Sequence, residues 1–402
     1  MRSVVPVLIV GLLVAVAAPS TAGAADRRTS FSSARLTQTI AANIRKAKIP
    51  GAIVGVWRGN RQLYKQGVGV SNIKTKAPLN VNGYQRIGSV TKSFVVTGIL
   101  QLVDHGQMGL DDPISKYLPG VVPNGDNITI RELAEMRSGI YSYTNTIIPS
   151  VIASDPDHQW TTSEILAIAF GQAPLFLPGT DFDYSNSNTI ILGLALEAVT
   201  GQPLEAYLKR NILRPDHLRH TSLPAGAEFP SPHSRGYTNW TPQGLGDDLV
   251  DATDWSPLWG WAAGGMISNI DDLRHWARDV ATGTLLKPAT QRERTKFRTA
   301  PGEGGATYGL ALQNYNGWIS HDGNIAATSP TRSTCPPSAP RWSWRSTPTP
   351  TPWARRRRCG RSPRSSRRST SGPSRRRTSA EGCPGGRVPT VGATASVARP
   401  GR

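Results

Sequence analysis

The first 330 residues contain no cysteine; all three, Cys335, Cys359 and Cys383, lie beyond them. That excludes a disulfide framework, a thiol nucleophile and a thiolate metal site from the body of the chain. An excess of one charge is missing there too. The 402 residues carry a formal charge of +19, yet residues 331–402 hold 17 arginines against one acid, Glu381. What precedes them is balanced to within three charges, so the globular part gives no electrostatic reason to bind nucleic acid. HExxH and clustered His/Asp/Glu sets are absent, so no metal or other cofactor is expected. His217 and His220 read as surface residues.

Long apolar runs are scarce as well. The one candidate, VVPVLIVGLLVAVAA after Arg2, is short for a membrane span and is followed by the small residues Ala22, Gly23 and Ala24. This is the pattern of a cleaved signal peptide over residues 1–25. Export to the cell envelope, periplasm or exterior is expected, with no membrane span left after cleavage.

Residues 331–402 lack Leu, Ile, Phe, Met, Tyr, Lys, Asn, Gln and His altogether. Such text buries too little apolar surface to offset the entropy of ordering, so a disordered basic tail is expected. Two origins compete. One is a genuine arm for nucleic acid or an anionic envelope polymer. The other is a reading frame that slips near 325–331, since a GC-rich gene read out of frame yields Arg, Pro, Ser, Ala and Gly. The abrupt change, with no linker, favours the slip.

The body has regular patterning. Residues 33–48 place Leu36, Ile40 and Ile44 at four-residue steps, which predicts an amphipathic helix. GAIVGVWRGN and RQLYKQGVGV, split by Gly59-Asn60, predict a hairpin. From Ser89 to His105 apolar residues fall on nearly every face, which predicts a buried helix ending at Gly106. Further helices are expected after Thr129, over 161–170, over 188–201 and after a cap at Ser268 or Asn269. Strand-like text returns in ATYGLALQNYNGWISHDGNI.

Lys92 sits inside the buried helix, three residues after Ser89. Residues i and i+3 share a helix face. Burial disfavours an ammonium ion, so Lys92 can be neutral and take the proton of Ser89, a weak nucleophile without a base. The spacing alone recurs by chance; Ser71 and Lys74 repeat it in polar loop text. Tyr-x-Asn triplets begin at Tyr143, Tyr184 and Tyr237, and the middle one is best placed, just before an apolar helix. Beside a cation Tyr184 would be favoured as phenolate and serve as base, with Asn186 and Ser187 able to cap. A third element is His321-Asp322-Gly323-Asn324, on an expected strand. Gly323 lets a substrate lie close. The Asn324 amide could pair with that of Ser89 as an oxyanion hole.

Ser-x-x-Lys, Tyr-Ser-Asn and His-x-Gly in that order resemble the penicillin-recognising serine hydrolases: class C β-lactamases, D-alanyl-D-alanine carboxypeptidases and related esterases. RIGSVTKSFVVTGILQLVDHGQMGLDDPISKYLPG, ITIRELAEMRSGIYSYTN and WAAGGMISNIDDL extend the likeness over roughly 35–325. The resemblance implies an α+β fold, an antiparallel sheet flanked by helices. It places this sheet domain at 33–109 and 251–330, with an all-helical domain inserted at 110–250. It implies Ser89 as acylated nucleophile, Lys92 and Tyr184 as proton carriers, Asn186 as a substrate-amide ligand, and His321, Gly323 and Asn324 along the substrate cleft. The partner implied is a small-molecule or peptide acyl substrate, taken by a monomer. Two departures stand out. Asp322 replaces the usual Thr or Ser and would repel a substrate carboxylate, and Gln313 fills a position that is often basic; both move weight from peptidase toward esterase. The tail replaces two strands and a helix, so the C-terminal strands are expected to be missing and the chain poorly stable or inactive. A non-catalytic envelope-binding homologue is the alternative.

Overall fold

The computed structural model describes residues 32–325 and the backbone of 331–334 and 341–346. The expected signal peptide, 1–25, and the tail segments 335–340 and 347–402 lie outside the described residues.

Helix α1 (Ser33–Lys46), capped by Ser32, turns Ile40 and Ile44 inward. They pack on Ala52, Val54 and Tyr64 of a hairpin, β1 (Gly51–Arg58) and β2 (Arg61–Gly69). After the short strand β3 (Gln85–Arg86), a 3-10 turn over Gly88–Val90 leads into α2 (Thr91–Asp104). Every residue of α2 from Thr91 to Leu102 is buried, as an all-round apolar helix requires. Each large apolar side chain so buried contributes roughly 1.5–3 kcal/mol. The Phe94 ring stacks on Trp276 with centroids 3.8 Å apart.

The next stretch is mainly helical. It comprises α3 (Ile130–Ala134), α4 (Thr144–Ile147), α5 (Ser150–Ser154), α6 (Thr162–Phe170), α7 (Asn186–Thr200) and α8 (Leu204–Leu208). Capping boxes start α3 and α6: Thr129 with Glu132, and Thr161 with Glu164, satisfy amides that the first turn leaves open. The stretch is not all helical as expected. Its end carries an antiparallel hairpin, β4 (Tyr237–Thr241) and β5 (Gly244–Asp251). Asp247 and Asp248, on a strand that is half solvent-exposed, disguised it in the sequence.

The chain returns through α9 (Trp261–Gly264), β6 (Ile267–Ser268), α10 (Ile270–Thr282, capped by Asn269) and α11 (Pro288–Arg294). Strand β6 pairs with β3. Then β7 (Arg298–Thr299), β8 (Thr307–Tyr308), β9 (Gln313–Tyr315) and β10 (Trp318–Ser320) form an antiparallel sheet in the order β10-β9-β8-β7. One apolar core joins α2, α3, α7, α9 and α10, so the helical stretch and the return segment are packed as one body. The fold is α+β, as expected.

The expectation of missing C-terminal strands needs correction. The backbone of β11 (Thr331–Thr334) and β12 (Arg341–Ser346) completes a sheet in the order β11-β12-β1-β2, with β12 antiparallel to β1 from Ile53 to Arg58. Backbone groups of β1 need a partner whatever the side chains opposite, and RWSWRS alternates as a strand can. Strand β10 nevertheless remains an end strand, not paired to β11 among the described residues. No helix among them is long and apolar enough to cross a membrane.

Candidate active site

Ser89 lies in the turn before α2 and is partly exposed, whereas Lys92, one turn on, is 0% exposed. The turn is possible because Gly88 takes a φ of +51°, and a side chain there would meet Asn324 N at 2.7 Å. Lys92 Nζ lies 2.9 Å from Ser89 Oγ, 2.7 Å from Asn186 Oδ1 and 2.6 Å from Ala263 O. Burial pushes the amine well below its ordinary range, against the pull of the Asp322 carboxylate. A neutral amine has two hydrogens and one lone pair. Asn186 Oδ1 and Ala263 O can only accept, so in the neutral form they take the hydrogens and the lone pair faces the Ser89 hydroxyl. The buried helix thus supplies both the depressed basicity and the aim.

Tyr184 lies two residues before α7, just ahead of its cap position Ser185. Its side chain is hydrogen-bonded to that of Ser89, and Lys92 Nζ stands 5.1 Å from its ring centroid. Burial holds the phenol well above its ordinary range, and the bond with Ser89 offsets only part of that. The expected phenolate is therefore corrected to a neutral phenol: burial penalises the phenolate by more than the bond with Ser89 favours it. Asn186 and Ser187 do not cap α7 either. Ser185 is the cap position, without a side-chain bond, while Asn186 faces Lys92 and Ser187 Oγ donates to Tyr141 O.

Sequence reasoning missed the residues that hold Asn186. Its amide nitrogen donates to Thr144 Oγ1 at 2.9 Å, and its backbone N–H to Ser142 Oγ at 3.0 Å. These flank Tyr143, the triplet set aside as a chance copy; Tyr143 is buried and its hydroxyl donates to Trp259 O. No sequence signal marks these two hydroxyls; only the packing of α7 brings them to Asn186. The other copies do ordinary work. Ser71 Oγ donates to Ala77 O in a half-buried loop, and Tyr237 OH accepts from Ile73 N.

The third element ends a strand rather than lying on one: β10 stops at Ser320, and His321–Asn324 run on irregularly past Ser89. The approach is close. A Cβ on Gly323 would sit 2.0 Å from Ile87 O and 2.9 Å from Ser89 N. His321 is buried, and burial lowers it to about 4, so it is neutral at physiological pH. Asp322 is half-buried beside the site and accepts from Gln313 Nε2 at 3.1 Å. A cavity of about 710 Å³ lined by Glu205, Lys209, Arg214 and Arg219 includes none of these residues.

A partly exposed serine whose hydroxyl meets a desolvated amine and a neutral phenol, under a strand end pressed against its backbone, is an arrangement able to carry out acyl transfer. Comparison with known proteins agrees. Residues 36–334 match the model of the Beta-lactamase family, and the chain belongs to that family of serine hydrolases. Protein flp of Staphylococcus aureus (strain COL) is 28% identical over 260 residues, 63% of this chain and 49% of the relative. The putative penicillin-binding protein PbpX of Bacillus subtilis (strain 168) is 28% identical over 240 residues, 59% of this chain and 55% of PbpX. The chain spans about half the length of these curated relatives. Among solved structures, a D-stereospecific amidohydrolase from Streptomyces sp. superposes with a TM-score of 0.70 at 28% identity, covering 79% of this chain and 94% of that one.

Proposed function

We propose that this chain hydrolyses an amide or ester through an acyl-enzyme on Ser89. Ser89 Oγ attacks the carbonyl carbon and its proton passes to the lone pair of Lys92 Nζ. The carbonyl oxygen becomes an oxyanion beside the backbone amides of Ser89 and Asn324. The intermediate collapses, the bond to the leaving group breaks, and the proton returns to that group through the Tyr184 hydroxyl. Water then enters by the same route and frees the acid. Asn186 orients Lys92 and faces the substrate amide. The observation that carries this reading is the coordination of Lys92, whose two hydrogens are taken by pure acceptors so that its lone pair points at the nucleophile.

Asp322 narrows the substrate. A carboxylate beside the strand end repels a substrate carboxylate by roughly 4 kcal/mol at 4 Å and an effective dielectric constant near 20. Neutral esters and amides are thus favoured over acyl-D-Ala-D-Ala peptides and penicillins, and the likeness to an amidohydrolase points the same way. The reading includes export, cleavage of the 1–25 signal and action as a monomer; N-terminal sequencing of secreted protein and gel filtration test these. Mass spectrometry of the chain with a p-nitrophenyl ester, a D-amino-acid amide and a labelled penicillin should find an adduct on Ser89, fastest with the neutral substrates. Turnover by Ser89→Ala equal to that of the parent chain refutes the reading. Asp322→Thr should raise the relative rate with penicillin by tenfold or more.

A further inference from the structure

His321 faces the site, yet its hydrogen-bonding capacity is fully used inside the protein. Nδ1 lies 2.6 Å from Asp322 O, and a carbonyl can only accept, so Nδ1 carries the hydrogen. Nε2 of the neutral ring is then an acceptor, and the Tyr308 hydroxyl, 2.9 Å away, donates to it. His321 is left with neither a proton to give nor a lone pair to offer a substrate. Strand register explains where these partners come from. Tyr308 lies opposite Gln313 in the β8–β9 pair, and Gln313 lies opposite Ser320 in the β9–β10 pair. Tyr308 therefore reaches His321 while Gln313 reaches Asp322, one side chain for each of the two residues that follow β10. Tyr308, Gln313 and His321 are all buried, and the Tyr308 ring also meets the edge of Tyr184, with centroids 6.1 Å apart.

We propose that Tyr308 is a positioning residue that, through His321 and with Gln313 as a second hold, fixes the 321–324 backbone against Ser89. His321 then serves as a strut and not as an acid, base or substrate ligand. The segment it fixes carries the Asn324 amide, and the same tyrosine touches the ring of Tyr184, so one buried side chain sets two parts of the site. The kinetic consequence rests on the serine-hydrolase reading; the hydrogen-bond arrangement does not.

The test has two arms on the full chain. Nitrogen-15 NMR of histidine-labelled protein should show His321 as the neutral Nδ1–H tautomer between pH 6 and 8; an Nε2–H tautomer or a protonated ring overturns the proposal. Tyr308→Phe should lower kcat by roughly ten- to a hundredfold, short of the ~10²–10³ for a deleted oxyanion donor. KM should stay within about threefold, affinity for an aryl boronic acid should fall in step with kcat, and the His321 resonances should shift. Unchanged kcat and boronate affinity overturn it. If Tyr308→Phe does not fold, the tautomer in the unaltered chain decides. A chain in which Ser89 takes no acyl adduct sinks the hydrolase reading while the tautomer still judges the strut.

Discussion

Gly323→Ala probes the closest approach in the site. Its φ lies outside the left-handed region, so alanine is conformationally acceptable and only the contact is tested. The new Cβ would sit 2.0 Å from Ile87 O and 2.9 Å from Ser89 N. Carbon–oxygen contacts settle at ~3.3–3.6 Å, so the two segments must part by roughly 1.3 Å. Both offending atoms are backbone, and no side chain can rotate away. The Asn324 amide moves with Gly323, while Ser89 stays with α2, which Met266 and Arg294 tie down through Thr91, Ser93 and Thr97. A misplacement of ~1 Å lowers the rate about 10²-fold, or roughly 2.7 kcal/mol of transition-state stabilisation. Overpacking costs about 1–3 kcal/mol of stability, so the protein should still fold. Burst and steady-state hydrolysis of p-nitrophenyl acetate, with a thermal melt as control, measure both. A folded Gly323→Ala within threefold of the parent rate would refute the placement of the 321–324 backbone as part of the site.

Three further outcomes are expected. Lys92→Arg keeps a positive charge at every accessible pH and should lower kcat by ~10²–10⁴; in the parent chain the acidic limb of kcat/KM should fall well below the ordinary lysine range, and a limb near pH 10 would contradict a desolvated base. His321 titrates near 4 when folded and near 6.5 when unfolded, so between these values the unfolded chain binds more protons. Its contribution is present above pH 6.5 and is lost as pH falls toward 4, about 3 kcal/mol in all; urea titrations should show that slope, and His321→Gln should remove it. Ending the chain after Pro330 leaves β1 without its partner from Ile53 to Arg58. The exposed edge should lower Tm and promote aggregation, and an unchanged melt would mean that β12 adds nothing to the sheet.

Much of this was legible in one dimension. The apolar text after Ser89 announced a buried helix, and a lysine inside it announced a suppressed charge; burial of α2 delivers both. Thr129, Thr161 and Asn269 were readable as helix starts because caps act within a few residues. Illegible features were those decided between distant segments. A phenolate at Tyr184 follows from its proximity to Lys92, which can be guessed from the sequence; the shared desolvation that disfavours both charges cannot. Thr144, Ser142 and Tyr308 carry no motif; they matter only because α7 and the strand end pack where they do. The hairpin at 237–251 and the pairing of β12 with β1 were hidden by polar composition, since a backbone ladder does not consult side chains.

Local pattern by itself determined the reactive types, their order along the chain and the helix that would bury Lys92. Tertiary structure alone decided environment and aim: which acceptors meet Lys92, which nitrogen of His321 holds its proton, and how near Gly323 comes to Ser89. The reason is physical. Helix propensity and capping act over a few neighbouring residues, whereas desolvation and hydrogen-bond partnership are set by whatever the folded chain brings alongside.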